Sequence, residues 1–251
     1  MKIQIKSGAE LEAMRVSGRM TAEVLQALCA MTRAGMTTGE LDAEARRRIA
    51  AMGANPAFLN YHGFPAAACI SVNDEVIHGI PGDRVIQNGD LVSIDIGVKY
   101  KGFIGDSAYT VMVGDRFAPD ALELVRATQA ALADGIAQVR PGARLSDVSH
   151  AIQQTAEGAG CSIVVDYVGH GVGRDLHEDP QIPNHGRPGK GPVLKAGMTL
   201  AIEPMVNRGS AAVRVLDDGW TVVTQDGKPS AHFEHTVAVT EDGAEILTAW
   251  K

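Results

Sequence analysis

The chain has 251 residues, of which 45% are hydrophobic and 21% are charged, as in an ordinary globular protein of one large domain or two small ones. Its formal net charge of −7 argues against a protein that binds nucleic acid or an anionic membrane. No signal peptide or membrane-spanning segment is recognisable. The three cysteines form no Cys-x-x-Cys pair, which excludes a disulfide framework and a thiolate zinc site. We therefore expect a reduced, cytoplasmic protein.

The first fifty residues are predicted to form two helices. A capping box, in which a Ser or Thr and a Glu three residues later satisfy the first free N–H groups of a helix, occurs at 7–10 and again at 37–40. Apolar residues at helical spacing follow each box, and the helices are predicted to end near Gly35 and at Gly53. A strand is expected at 69–72.

Two aspartates lie in the stretch 91–110, where alternating aliphatic residues predict a strand with one buried face. With a two-residue turn at Tyr100-Lys101, residues whose numbers sum to 201 face each other, so Asp95 would lie directly opposite Asp106. A three-residue loop would place them diagonally, still within reach of one ion. Like charges opposite each other destabilise a sheet, so we favour a cation between them over a protonated carboxyl. The alternative is two unrelated surface aspartates.

The second half of the chain repeats landmarks of the first. Helices are predicted from beyond Pro119 to Pro141-Gly142 and from Ser146 to Gly158. The helix-ending glycines recur 107 residues apart, and Gly-Asp-Leu-Val-Ser-Ile-Asp95 matches Gly-Met-Thr-Leu-Ala-Ile-Glu203 at an offset of 108. This pattern indicates an internal duplication. We expect a single catalytic domain over 1–251, with α/β halves of roughly 8–115 and 116–251 that share one sheet system.

Complete motifs for a phosphate loop, a dinucleotide loop, a zincin, a zinc deaminase or a nucleophile elbow are absent. What remains is a set of acids and a histidine in apolar or glycine-rich strand contexts: Asp95, Asp106, His170, Glu203 and Glu234. Taken singly, a histidine in such a context is usually a hydrogen-bonded core residue, and an acid is usually solvated. Together, four carboxylates and one imidazole suit two divalent ions with a bridging hydroxide as nucleophile. Such oxygen-rich ligation favours Mn, Fe(II) or Co.

At these residues the whole chain closely resembles the type I methionine aminopeptidases, which have the pita-bread fold of creatinase and the aminopeptidases. The matching segments are Ser71–Pro81, Ile94-Asp95, Gly105-Asp106, Gly169–Glu178, Glu203–Met205 and Phe233–Thr236. The resemblance implies two pseudo-symmetric α/β halves around a mainly antiparallel sheet. It also implies removal of the initiator methionine from nascent proteins whose second residue is small.

The resemblance further implies the role of each site residue. Asp95 would bind one metal ion, Asp106 and Glu234 would bridge two, and His170 and Glu203 would complete the other shell; the ions would be Co, Mn, Fe(II) or Zn. Glu203 would also act as general base. His177 would hydrogen-bond the scissile carbonyl, and His78 would contact the scissile amide nitrogen. The methionine side chain would lie against Phe58, Tyr61, Phe64, Cys69, Leu176 and Trp220, for some of which plain core packing is an alternative.

The chain departs from the family pattern at His232, where glutamine is more usual. The family resemblance implies contact with nascent chains and is compatible with ribosome association, and we expect a monomer. Two other functions remain as alternatives. One is an Xaa-Pro aminopeptidase or prolidase, which has the same five ligands but usually a long additional N-terminal domain. The other is a catalytically silent binding module of the same fold, against which the intact ligands and both histidines argue.

Overall fold

A computed structural model describes residues 2–250, which form four α-helices, one short 3-10 helix and fifteen strands. The helices are α1 Gly8–Met31, α2 Thr38–Ala51, α3 Ala121–Ala137 and α4 Leu145–Gly158, with the 3-10 helix at Tyr61–Gly63. The strands are β1 Asn55–Pro56, β2 Ala68–Val72, β3 Glu75–Ile77, β4 Leu91–Tyr100, β5 Phe103–Met112, β6 Ser162–Ile163, β7 Gly169–Gly171, β8 Glu178–Ile182, β9 Thr199–Ile202, β10 Met205–Asn207, β11 Val213–Val215, β12 Val222–Thr224, β13 Ser230–His232, β14 His235–Thr240 and β15 Gly243–Ile246. No helix within this range is long and apolar enough to cross a membrane.

Both predicted capping boxes are confirmed. The hydroxyl of Ser7 accepts a hydrogen bond from the N–H of Glu10, whose carboxylate accepts one from the N–H of Ser7 at 2.9 Å. Thr37 and Glu40 make the same reciprocal pair at the start of α2. Each box satisfies N–H groups that the first turn of a helix leaves free. Helix α1 ends at Met31, a few residues before the predicted end near Gly35.

The predicted register of the β4–β5 hairpin is wrong by two residues. The turn is Lys101-Gly102, and Leu91 pairs with Met112, so paired numbers sum to 203 rather than 201. Both turn residues have positive φ, 47° and 84°, which a two-residue hairpin turn of this kind requires and which glycine adopts without strain. Asp95 therefore pairs with Ala108, and Asp106 lies on the diagonal. A shift of two preserves the alternation, so both carboxyls still share one face.

The strands pair antiparallel throughout residues 2–250, as the family resemblance implied. They divide among four sheets rather than one shared sheet system: β1-β4-β2 with β5 on β4, β15-β14-β9-β7-β8, β13-β10-β6 and β11-β12-β3. Strand β4, which carries Asp95, lies in the first of these sheets. Strand β9, which ends directly before Glu203, lies in the second.

The same local geometry occurs in both halves of the chain. Gly35 and Gly142 have φ of 89° and 88°, and each donates its N–H at 2.9 Å to the carbonyl of a residue further along, Ile86 and Leu194 respectively. Helices α2 and α4 each have 14 residues and begin 107 positions apart. The single duplicated domain stays a prediction, and this shared geometry supports it.

The hydrophobic core lies between the helices and one face of each large sheet. The aliphatic face of β4, which includes Ile94 and Ile96, packs against α1 and α2, while Leu200 and Ile202 of β9 pack with residues of α3 and α4. Burial of each such side chain contributes about 1.5–3 kcal/mol. Because successive side chains of a strand point to opposite faces, Asp95 of β4 and Asp106 of β5 are directed away from this core.

Candidate active site

A cavity of about 160 Å³ lies on the polar face of β4 and β5. Every site residue proposed from the sequence lines it, so residues far apart in the chain are brought together in one place. They are Phe58, Tyr61, Phe64, Cys69, His78, Asp95, Asp106, His170, Leu176, His177, Glu203, Trp220 and Glu234. The sequence reasoning missed one lining residue, His62, whose ring packs edge-on against Tyr61 with centroids 4.4 Å apart. Only its adjacency to Tyr61 could have indicated it.

One end of the cavity is acidic. Potential ligand atoms of Asp106, His170 and Glu234 all lie within 4.8 Å of one another. Nε2 of His170 is 3.9 Å from Oδ2 of Asp106 and 3.4 Å from Oε1 of Glu203. Asp95 lines the same cavity outside this tighter group. Five side chains from separate strands and their ends therefore converge on one small volume.

The acidic end lacks partners for its charge. Buried oxygens of Asp95, Asp106 and Glu234 have no hydrogen-bond donor, and among the described residues that line the cavity none is Lys or Arg. Burial raises the pKa of Asp106 to about 7. Burial, together with the charge of Asp106, raises the pKa of Asp95 and of Glu234 as well. Unpaired buried carboxylates are costly, so this donor set fits a bound cation.

The ring of His170 is oriented for metal binding. Its Nδ1 lies 2.9 Å from the carbonyl oxygen of Gly171, and a carbonyl can only accept, so the proton is assigned to Nδ1. Nε2 then presents a lone pair to the carboxylates. Burial and the nearby His177 lower the pKa of His170 to about 3, so the ring is neutral. A histidine ligand whose other nitrogen donates to a carbonyl is the usual arrangement at metal centres.

Hydrogen bonds between distant segments hold two of the acids side by side. The N–H of Glu234 donates to the carbonyl of Ala108 at 2.9 Å, and the hydroxyl of Ser107 donates to the carbonyl of Glu234 at 2.7 Å. The N–H of Asp106 donates to the hydroxyl of Thr236 at 2.9 Å. These bonds join β5 to the end of β13 and the start of β14, and so set the separation of the Asp106 and Glu234 side chains.

Three histidines lie around the acids. The hydroxyl of Tyr61 is 2.7 Å from Nδ1 of His177, whose ring centroid is 4.3 Å from that of His170. His78 has a φ of 59°, a region that non-glycine residues seldom adopt, and burial lowers its pKa to about 4. Such backbone strain is concentrated at functional sites. His232, buried beside Glu203, was noted in the sequence only as an unusual residue.

The other end of the cavity is apolar. Phe58, Phe64 and Cys69 are buried, and the rings of Phe64 and Trp220 pack edge-on at 5.2 Å. A Cβ on Gly97 would lie 2.7 Å from Cε1 of Phe58, so this ring requires glycine beside it. Burial and the charge of Asp95 raise the pKa of Cys69 well above its usual value, so its thiol is neutral. This end can hold a slender apolar side chain.

The model of metallopeptidase family M24 matches residues 12–241. The chain belongs to metallopeptidase family M24. Methionine aminopeptidase 1 of Bacillus subtilis is 53% identical to this M24 chain over 97% of its length and 98% of the relative. Membership of the family implies the use of a divalent metal ion.

Solved structures agree with this assignment. The methionine aminopeptidase of Rickettsia prowazekii superposes on 99% of the M24 chain with a TM-score of 0.97 and 43% identity. The superposition includes 100% of the Rickettsia protein. The prolidase of Pyrococcus furiosus gives a TM-score of 0.79 at 25% identity, and the M24 chain spans 66% of it. The fold is therefore the pita-bread fold predicted from the sequence, in the form of the methionine aminopeptidases rather than the longer prolidases.

Proposed function

We propose that this M24 chain removes the N-terminal methionine from polypeptides whose second residue is small. One observation carries the proposal: a cluster of carboxylates with unpartnered oxygens and a neutral imidazole adjoins the apolar end of a cavity of about 160 Å³. The first arrangement suits a metal ion beside a scissile amide, and the second suits one apolar side chain next to it. Similarity to methionine aminopeptidases along the whole chain supports the same substrate.

We propose that two divalent ions bind at the acidic end. Four negative charges balance two such ions, and carboxylate-rich ligation favours Mn, Fe(II) or Co, with Zn as a further possibility. The ligands would be Asp95, Asp106, His170, Glu203 and Glu234, of which Asp106 and Glu234 would serve both ions. When bound, such ions polarise a carbonyl oxygen and lower the pKa of water.

The apolar end of the cavity would bind the methionine side chain. Methionine is unbranched and polarizable, so it can follow the narrow space between Phe58, Phe64 and Trp220. Its sulfur would lie against aromatic rings, a contact that stabilises thioethers. The neutral thiol of Cys69 adds polarizable surface without charge. A branched first residue would fill this space badly. A charged first residue would lose its hydration there.

Glu203 would act as general base. In the metal-free chain, burial and the charges of Asp95 and Asp106 raise the pKa of Glu203 well above its usual value. A carboxylate at this position can accept a proton from water. Oε1 of Glu203 lies 3.4 Å from Nε2 of His170, at the edge of the ligand cluster. A water there could pass its proton to Glu203 as it attacks the carbonyl carbon.

His177 would stabilise the oxyanion that this attack produces. Burial raises the pKa of Tyr61, so its hydroxyl stays protonated. This hydroxyl can donate a hydrogen bond to Nδ1 of His177, which lies 2.7 Å away. The ring proton of His177 is then on Nε2, where it can donate to the carbonyl oxygen. His78 would contact the amide nitrogen from the side of Trp220, with ring centroids 6.4 Å apart.

The natural substrate would be a newly made polypeptide, because that is where an initiator methionine occurs. We propose that the enzyme acts on such chains in the cytoplasm as a monomer. Size-exclusion chromatography with light scattering tests the monomer, since a dimer would give twice the chain mass of 26.4 kDa.

The deciding experiment measures amino-acid release from Met-Ala-Ser and Ala-Pro-Ser by protein reconstituted with Mn or Co. Methionine release from the first peptide alone, abolished by EDTA, supports the proposal. Release from the second alone would make the protein an Xaa-Pro aminopeptidase. If the protein binds metal but releases no amino acid from either peptide, it would be a catalytically silent binding module of the same fold. The variant Glu203→Gln serves as the matched control for a contaminating peptidase.

A further inference from the structure

His232 is a buried imidazole without a hydrogen-bond partner at Nε2. The residue is 1% exposed, and its backbone is fixed: its N–H donates to the hydroxyl of Thr110 at 2.9 Å, and that hydroxyl donates to its carbonyl at 2.8 Å. Nε2 is buried and lacks any partner within hydrogen-bond geometry. A buried polar atom left in this state costs about 1–3 kcal/mol. A core position could be filled at lower cost by an apolar residue, so the imidazole calls for a functional explanation.

The carboxylate of Glu203 offers an acceptor close to this nitrogen. Nε2 of His232 lies 3.5 Å from Oε2 of Glu203, while Oε1 of the same carboxylate lies 3.4 Å from Nε2 of His170. The carboxylate is therefore flanked by two imidazole nitrogens, one beside each oxygen. Both rings are buried, so neither nitrogen competes with bulk water for the contact.

The two imidazoles are not equivalent. His170 places its proton on Nδ1, which donates to Gly171, so its Nε2 has only a lone pair to offer. Within residues 2–250 no carbonyl hydrogen-bonds a ring nitrogen of His232, so its proton can lie on Nε2. Only His232 can then supply an N–H to the carboxylate of Glu203.

We propose that His232 is a positioning residue, which donates its Nε2 proton to Oε2 of Glu203 and thereby leaves Oε1 directed at His170 and the metal centre. The effect on catalysis rests on the proposed function, whereas the hydrogen bond between His232 and Glu203 rests on the contacts described above. An outer partner that orients a ligating carboxylate commonly accounts for 10–100-fold in metal affinity or activity.

The present separation is about 0.5 Å longer than a usual N–H···O hydrogen bond. Hydrogen bonds of catalytic groups are often long in the free enzyme and shorten when the site is filled. The backbone of Glu203 is held by Asn184, whose side-chain amide donates to the Glu203 carbonyl at 3.0 Å. Closing the gap therefore needs rotation of the Glu203 side chain alone, which has three torsion angles.

The test compares His232→Leu, which has no donor, with His232→Gln, which keeps one at similar reach. Three experiments are made on each variant: calorimetry for the Mn affinity, the visible spectrum of the Co-loaded protein, and steady-state kinetics for kcat and KM with Met-Ala-Ser. His235→Leu is the matched control, because it removes a neighbouring imidazole that lies near the Thr248 hydroxyl at 3.0 Å. If His232→Leu does not fold, His232→Met replaces it as the variant without a donor.

We expect His232→Leu to bind Mn 10–100-fold more weakly, to change the Co spectrum and to lower kcat more than it raises KM. His232→Gln should recover metal affinity to within a few-fold of the wild type, and His235→Leu should lose thermal stability alone. Equal affinity and spectra for His232→Leu and wild type would overturn the proposal, as would a His232→Gln variant as impaired as His232→Leu. If the wild type binds metal but releases no methionine, the proposed function fails while the affinity series still decides the role of His232.

Discussion

Replacement of Asp106 by Asn should stabilise the metal-free protein, and the gain should depend on pH. Asp106 is 3% exposed, and its Oδ1 has no hydrogen-bond partner. Burial raises the pKa of this carboxyl from 3.8 to about 7 in the folded chain. Well below pH 3.8 both the folded and the unfolded chain keep the proton. Between pH 4 and 7 the unfolded chain loses it first, so the free energy of unfolding falls as pH rises through this window.

The size of the effect follows from the same values. A difference of roughly three pKa units corresponds to about 4 kcal/mol at 1.36 kcal/mol per unit. Asn is close to Asp in shape and does not ionise, so Asp106→Asn should match the wild type only below about pH 3, and should exceed it by up to about 4 kcal/mol near pH 8. For a chain of this length that corresponds to a rise in Tm of about 8–16 °C.

The assay is urea unfolding of EDTA-treated wild type and Asp106→Asn at pH 4.5 and pH 8. The buried histidines, whose pKa values are lowered, destabilise both proteins at low pH. The difference between the two proteins therefore reports the ionisation of Asp106 together with the effect of its charge on Asp95 and Glu234. Asp217→Asn, at an exposed aspartate, is the control and should change neither value. A metal-free Asp106→Asn protein less stable than wild type, or a gain that is equal at both pH values, would refute the reasoning.

Three further predictions concern the base, the pocket and the N-terminal segment. Glu203→Gln should retain the circular dichroism spectrum of the wild type but lose at least 100-fold in kcat, and an unchanged kcat would contradict its role as base. Gly97→Ala should raise KM for Met-Ala-Ser, because the new Cβ would lie 2.7 Å from Cε1 of Phe58 and displace the ring; a wild-type KM would argue against this pocket. Lys6→Met should lower the free energy of unfolding by about 3–5 kcal/mol, because it removes the cation paired with the buried carboxylate of Glu178, which keeps only the backbone N–H groups of Arg174 and Asp175 as donors. Glu10→Gln, at an exposed ion pair with Arg174, is its control and should lower the free energy of unfolding far less, because the amide oxygen of Gln can still accept from the N–H of Ser7.

Local patterns in the sequence were sufficient for the helix starts and for the shared face of the two aspartates. A capping box acts over three residues, and the alternation of a strand acts over two, so neither depends on the rest of the chain. The register of Asp95 and Asp106 was mispredicted because it depends on which residues accept positive φ in the turn. Gly102 adopts that conformation readily, and considering it would have moved the turn by one residue.

The residues of the candidate site were named from acids in apolar strands and from the resemblance to a known family, and no spacing rule could place them in space. Asp106 and Glu234 are 128 positions apart, yet their separation is set by hydrogen bonds from Ser107 and from the Glu234 N–H that form only when β5 meets the second half of the chain. Likewise, His62 lines the cavity because of its left-handed backbone, with a φ of 49°, rather than because of a periodic pattern.

The sequence by itself determined which residues could bind metal, which strand faces would be buried and where the helices begin, because composition and short-range periodicity govern these features. Only the tertiary structure decided that one buried carboxylate oxygen in each of Asp95, Asp106 and Glu234 lacks a donor, and that Glu203 lies between His170 and His232. The physical reason is that desolvation and hydrogen-bond geometry depend on every group packed around an atom. Those groups come from strands that are remote in the chain.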